Sequence, residues 1–205
     1  MIQLKAKRDC QDFGRFFRKG QLHRIGGNVL PWFKNWEIVS PEFDLKYSEV
    51  PRDYSGKVTL IGSGPSKQEA FDNPPEGMVA VLNDEGHRYP HKVDFWFTLH
   101  CEKMANWIEQ RLATGKTMDG VKVVLAQLAY IPHHFYYSPD FLRGGSSGLY
   151  ALETLANMGF DHIHCTGIDL GPDPKYHVFR FAWKNLDLGK VKVTTNSEAL
   201  KKFLK

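Results

Sequence analysis

The chain has 205 residues, 42% apolar and 24% charged, with a formal net charge of +4 at pH 7. That composition suits an ordinary globular domain with one sizeable core. It offers no membrane-spanning helix, because no apolar run approaches the roughly 20 residues such a helix needs.

The basic charge sits at the N-terminus. Residues 1–36 hold eight Lys or Arg against Asp9 and Asp12, a net +6, so the remainder is about −2. The opening "MIQLKAKRDCQDF" has no apolar stretch before a small-residue cleavage site and does not read as a signal peptide. Cys10, Cys101 and Cys165 are far apart and form no CxxC pair, which fits reduced thiols in a cytoplasmic protein. The stretch "DCQDFGRFFRKG" predicts a short helix, capped by Asp9 and stopped by Gly20, with Phe13, Phe16 and Phe17 on one face. Residues 21–56, interrupted by Pro31, Pro41 and Pro51, read as extended pieces wrapped around a main domain. Residues 1–56 are thus expected as a basic, aromatic extension packing on the core, and 57–205 as the domain itself.

From Lys57 the pattern alternates. "VTLI", "MVAVLN", "VDFWFTLH", "VKVVLAQ" and "HIHCTGIDL" read as short strands. "CEKMANWIEQRLATG" carries Met104, Trp107, Ile108 and Leu112 at helical spacing and ends at Gly115. "SSGLYALETLANMGF" is a second helix, capped by Ser146 or Ser147, with Leu149, Leu152, Leu155 and Ala156 in line. "VKVTTNSEALKKFLK" closes the chain as a strand and a basic helix capped by Asn196 or Ser197. Strands alternating with helices predict a Rossmann-like α/β domain, a mainly parallel sheet covered on both faces. Ligands of such sheets bind at the carboxyl ends of the strands.

Candidate residues cluster at those ends. In "LIGSGPSK", Gly62 and Gly64 let the backbone approach a ligand, Pro65 suits a first helical position, and Ser66 sits where a helix favours phosphate. A tight strand-to-helix turn without a ligand is the alternative. Lys67 suggests a phosphate loop, but the order GxxxxGK[ST] is absent. Asn83 has the donors and acceptor to read a ribose or base, and Asp84 suits either a cation or a turn. Thr98 and His100 share the same rim, with His100 a candidate general base. Gly144, Gly145, Ser146, Ser147 and Gly148 form a second Gly/Ser-rich helix start suited to an anion. Asp169 faces the same crevice, able to orient a hydroxyl, hold Mg²⁺ or cap a turn. His162 and His164 share a strand face and form a candidate metal pair lacking a third ligand. His133 and His134 read as surface loop residues. The segment 170–189 reads as a lid or binding loop, with Tyr176, His177, Arg180 and Lys184 as its functional side chains.

Taken together, "LIGSGPSK", the strand-terminal Asn83, "SSGLYALETLANMGF", "CTGIDL" and "NSEALKKFL" resemble the bacterial lipooligosaccharide sialyltransferases. They are also similar to motility accessory factor glycosyltransferases and to the archaeal type of hydroxymethylpterin pyrophosphokinase. Small relatives of this kind also look like proteins carried by bacteriophages. The resemblance covers 57–205 and implies a nucleotide-binding fold, with a cytidine monophosphate sugar as donor in the sialyltransferases. It assigns the nucleotide to Gly62, Ser63, Gly64, Ser66, Asn83, Ser146, Ser147, Gly148, Gly167 and Asp169. This chain departs from the family in three places: Ser63 replaces an Asn, Gly171 replaces a tyrosine, and "GKVKVTTN" lacks the histidine base. His177 or His100 is then the expected base, Tyr176 the substitute for the tyrosine, and Arg180 and Lys184 the phosphate-neutralising groups of the lid. The expected activity is transfer from a nucleotide sugar to a hydroxyl acceptor without a cofactor. One alternative is a pyrophosphokinase needing Mg²⁺, with Asp84 and Asp169 as ligands. Another is a non-catalytic nucleotide or nucleic-acid binder, in which Phe13, Phe16, Phe17, Trp32 and Trp36 stack bases among basic residues.

Overall fold

A computed structural model of the chain describes residues 2–6, 10–12, 15–17, 19, 22–25, 36–38, 48–125, 135–136, 146–173 and 176–204, with side chains at 19, 50–125, 146–173 and 176–204. Ahead of the domain, β1 (Ile2–Ala6) pairs antiparallel with β4 (Leu22–Ile25) and β5 (Trp36–Ile38), while β2 (Cys10–Asp12) pairs with β3 (Arg15–Phe17). The helix expected there is therefore a strand pair, with Cys10 opposite Phe17 and Asp12 opposite Arg15. Physical preference favours this outcome, because Phe16 and Phe17 suit strands and Gly14 weakens any helix. Asp9, Phe13, Gly20 and Trp32 lie outside the described residues, as do His133, His134, Gly144 and Gly145.

Among the described residues the main sheet has eight strands in the order β13-β12-β7-β8-β9-β10-β11-β6, every pairing parallel. They are β6 (Ser48–Glu49), β7 (Lys57–Ile61), β8 (Met78–Leu82), β9 (Phe95–Thr98), β10 (Lys122–Leu125), β11 (Phe135–Tyr136), β12 (His162–Thr166) and β13 (Lys192–Thr195). The helices are α1 (Gln68–Asp72), α2 (Glu85–Arg88), α3 (Cys101–Ala113), α4 (Ser147–Asn157), α5 (His177–Lys184) and α6 (Glu198–Lys201). The α/β class expected from the sequence is the observed one. From β7 the order runs through β8, β9, β10 and β11 on one side, with β6 added at that far edge, and through β12 and β13 on the other. The direction of winding therefore reverses between β7 and β12, and ligands of such sheets collect at that switch point.

Alternation along the strands supplies two cores. Val58, Leu60, Phe95, Phe97, Ile163 and Cys165 point to one face, under Leu149, Leu152 and Leu155 of α4, Trp183 of α5 and Leu200 of α6. Ile61, Val79, Val81, Trp96 and Val123 point to the other, under Met104 and Trp107 of α3. Each such side chain contributes about 1.5–3 kcal/mol when fully buried. Leu112, expected on the inner face of α3, is 51% exposed, while Arg111 is 5% exposed and bonds Gly86 O (2.7 Å) and Thr117 O (2.8 Å). The segment read as an extension reaches into the first core at its C-terminal end. Val50 is buried there, and Tyr54 stacks on Phe160 with ring centres 5.2 Å apart. The lid segment contains α5, which Trp183 anchors. Among the described residues, no helix is long and apolar enough to cross a membrane.

Candidate functional site

The tip of β7 is fastened to the tip of β12. After Ile61 the chain runs through Gly62, Ser63 and Gly64 into a 3-10 turn, Pro65–Lys67, with Gly64 as its N-cap. Gly62 donates its N–H to Thr166 O (2.8 Å), and Gly64 donates to Gly167 O (2.7 Å). The Ser66 N–H goes to Asp169 Oδ2 (2.8 Å), while its Oγ accepts from Gly167 N–H (2.8 Å) and its carbonyl from Thr166 Oγ1 (2.7 Å). The two backbones touch so closely that a Cβ on Gly62 would stand 2.5 Å from Gly167 O, and one on Gly64 would overlap the Asp169 carboxylate. Gly167 adds a left-handed φ of +66° that favours glycine. These glycines thus serve the joint between two strand tips, and the Gly62 and Gly64 amides expected at a ligand are already bonded. Ser66 and Asp169 hold the joint together. Lys67 turns away to Glu85, whose carboxylate is fully buried, with Nζ 2.8 Å from Oε1.

Above this joint opens a crevice of about 490 Å³. Gly62, Ser63 and Gly64 form one wall, Asn83 and His100 a second, and Ser146, Ser147 and Gly148 a third. Gly167, Asp169 and Tyr176 complete it, along with Ile168, Leu170 and Phe179, which sequence reasoning did not single out. Phe179 stands three residues after Tyr176, the spacing of one helix face, so α5 delivers both. Of the expected site residues, Ser66, His177, Arg180 and Lys184 are not among those lining the crevice.

A chain of hydrogen bonds fixes the second wall. Asn83, with φ of +50°, accepts at Oδ1 from Thr98 Oγ1 (2.9 Å) and from Ser147 Oγ (3.2 Å). Thr98 Oγ1 in turn accepts from the His100 N–H (2.8 Å). Three elements, β8, β9 and α4, are thereby tied at one side chain. With Oδ1 doubly used, the Nδ2 donors of Asn83 have no acceptor among the described residues, so the amide is left facing outward chemistry as a donor. Ser146 Oγ caps α4 by accepting from Leu149 N–H (3.3 Å). The first N–H groups of α4, at Ser147 and Gly148, have no intrahelical acceptor and sit at the positive end of the helix dipole.

The remaining candidates, His100 apart, lie off the crevice. His100 is half-exposed, with Nδ1 3.6 Å from Glu102 Oε1. His177 begins α5 and is exposed. Arg180 donates to Gly171 O (2.5 Å) and Asp173 O (3.2 Å), clasping the loop rather than the crevice, and Lys184 is exposed at the far end of α5. Asp84 pairs with Arg88 at 2.9 Å and does not join Asp169 in the crevice. No group of three metal-ligating side chains occurs among the described residues. His162 Nε2 and His164 Nδ1 instead share Thr194 Oγ1, at 2.9 and 3.0 Å. Cys101 and Cys165 are buried thiols, and burial pushes the Cys165 thiol up to about 12, which removes it as a nucleophile.

No protein-family model matches the chain, and neither does any curated protein. Among solved structures, the chain is similar to the sialyltransferase CstII from Campylobacter jejuni in complex with the substrate analogue CMP-3FNeuAc. That match has 17% identity and a TM-score of 0.49, covering 73% of this chain and 84% of that one. It is similar also to the sialyltransferase CST-II in complex with a trisaccharide acceptor and CMP (16% identity, TM-score 0.49, 72% and 84% covered). A third is the apo α-2,3-sialyltransferase from Campylobacter jejuni (12% identity, TM-score 0.46, 72% and 78% covered).

Proposed function

We propose that the crevice binds a nucleotide-activated donor and that the protein is a small transferase, with a nucleotide sugar as donor and a hydroxyl as acceptor. The observation that carries this reading is the convergence, at the switch point of the sheet, of three donor sets in one crevice. These are the exposed Ser63, the open amide of Asn83 and the N-terminal end of α4. Phosphate meets Ser63 and the α4 amides, where a helix end favours negative charge. Asn83 donates to the sugar or base, and Tyr176 reaches the phosphate from α5. In this reading the hydroxyls of Ser63 and Tyr176 and the dipole of α4 contribute to stabilising the charge on the leaving phosphate.

As the acceptor oxygen bonds to the anomeric carbon, the carbon–phosphate oxygen bond breaks and its electron pair leaves with the nucleotide. The acceptor proton passes to a base, for which His100 is the imidazole that lines the crevice. Thermal shift with CMP, UDP, GDP and ATP, each with and without Mg²⁺, tests the binding. A ligand at about 100 times its Kd stabilises the folded form by about 2.7 kcal/mol. One nucleotide, CMP first, is expected to raise Tm without Mg²⁺, and Ser63→Trp, which plugs the crevice at an exposed position, is expected to abolish that rise. No rise with any nucleotide overturns the reading, and a rise that requires ATP with Mg²⁺ transfers it to pyrophosphoryl transfer.

A further inference from the structure

The edge strand β13 reaches the joint beneath the crevice through one side chain. Asn196, the residue after β13, donates from Nδ2 to Ser66 O (2.9 Å) and to Glu69 Oε2 (2.9 Å). Ser66 is the residue that fastens the first loop to Gly167 and Asp169. Two residues back, on the same face of β13, Thr194 Oγ1 holds the rings of His162 and His164 together. With both imidazoles neutral the hydroxyl donates to one ring and accepts an N–H from the other. Protonation turns both rings into donors, deprives the hydroxyl of its acceptor and brings two cations to one oxygen.

The surroundings sharpen that conflict. At His162 burial first, then Lys192 and Lys57, lowers the pKa, with Asp161 opposing them. At His164 burial first, then Lys57, lowers it, with Glu69 opposing and the His162 ring adding to the lowering. Among the described strands, β13 pairs with β12 alone, and its four residues are exposed or half-buried. A half-buried edge strand belongs to the part of a fold where local opening is least costly.

We propose that Asn196 is a positioning residue for the first loop of the crevice, and that the His162–Thr194–His164 clamp makes its hold depend on pH. Neutral imidazoles keep β13 docked and Asn196 on the Ser66 carbonyl; doubly protonated imidazoles release both. The proposal concerns the order of the loop in the free protein and stands apart from any ligand, so it can fail while nucleotide binding holds, and the reverse.

Amide hydrogen exchange at Gly64, Ser66 and Lys67, corrected for intrinsic rates, reads it directly. Between about pH 7.5 and about pH 5.5, protection of these amides is expected to fall about tenfold, the factor carried by one pKa unit. In His162→Gln/His164→Gln the fall is expected to vanish. In Asn196→Ala, protection is expected to be low at both pH values. Thr194→Val keeps the shape of the side chain and removes the hydroxyl, and it too is expected to be insensitive to pH; it carries the test should Asn196→Ala not fold. Protection that is flat with pH in the unsubstituted protein, or a fall that persists in the double histidine variant, overturns the clamp. Unchanged protection in a folded Asn196→Ala overturns the positioning role.

Discussion

At position 64 a side chain has only the space that Asp169 fills. A Cβ built there overlaps Oδ2 and stands 3.0 Å from the Asp169 Cβ, so Gly64→Ala is expected to destabilise by about 1–3 kcal/mol in urea unfolding. Asp169→Ala in the same chain is expected to return part of that loss, because two residues in contact are not additive. Gly148 belongs to the other glycine-rich stretch and behaves oppositely. Its Cβ would lie at ordinary contact distance, 3.5 Å from Ile168 and from Trp183. Gly148→Ala is therefore expected to be neutral or to stabilise by up to about 1 kcal/mol. Sequence alone treats the two positions alike, since a missing side chain says nothing of what stands opposite. Asn83 was legible for a better reason: a strand-terminal amide brings donors and an acceptor wherever it lands. Its bond to Ser147, across 64 residues of chain, left no local trace.

Among the elements, α5 was hidden and α4 was plain. The eleven residues of α4 run long enough for its leucines to repeat, whereas α5 has eight, set between proline- and glycine-rich pieces. Its inward side chains, Phe179, Ala182 and Trp183, do carry helical spacing. Trp183 is 1% exposed, so Trp183→Ala is expected to cost about 3–5 kcal/mol in urea unfolding. Phe181 is 68% exposed on the same helix, and Phe181→Lys is expected to stay within about 0.5 kcal/mol. The strand β12 sets a pH dependence. Burial holds the imidazoles of His162 and His164, and also of His87 in α2, below the ordinary histidine pKa in the folded protein. A folded form that resists protonation keeps its full stability above the unfolded pKa and loses it as pH falls through that value. Urea midpoints are therefore expected to decline below about pH 6.5, and less steeply in His162→Gln/His164→Gln.

For the molecule as a whole, the parallel α/β plan was legible because short apolar strands alternated with helices, and such strands need crossovers. Strand order was not, since β12 comes to lie beside β7 through contacts such as Thr166 to Ser66, separated by 100 residues. Packing of the preceding segment on the core was expected, but not that Val50 and Tyr54 are the residues that enter it. Tyr54 donates its N–H to Met158 O (3.0 Å) and stacks on Phe160, and β6 adds to the sheet through β11. A chain beginning at Ser48 is expected to keep these contacts, and one beginning at Lys57 to lose about 2–5 kcal/mol with Val50 and Tyr54, measurable by comparing urea midpoints of the two.

The face-to-face backbones of Gly62 and Gly167 have a bearing on how this scaffold diversifies. Positions 62, 64 and 167 are closed to substitution by their neighbours, so new ligand preferences cannot arise there by single changes. Ser63 lies between the closed positions with its side chain exposed on the crevice wall. For the nucleotide donor proposed above, Ser63 is the position at which selectivity is expected to change while the joint between the strand tips stays untouched.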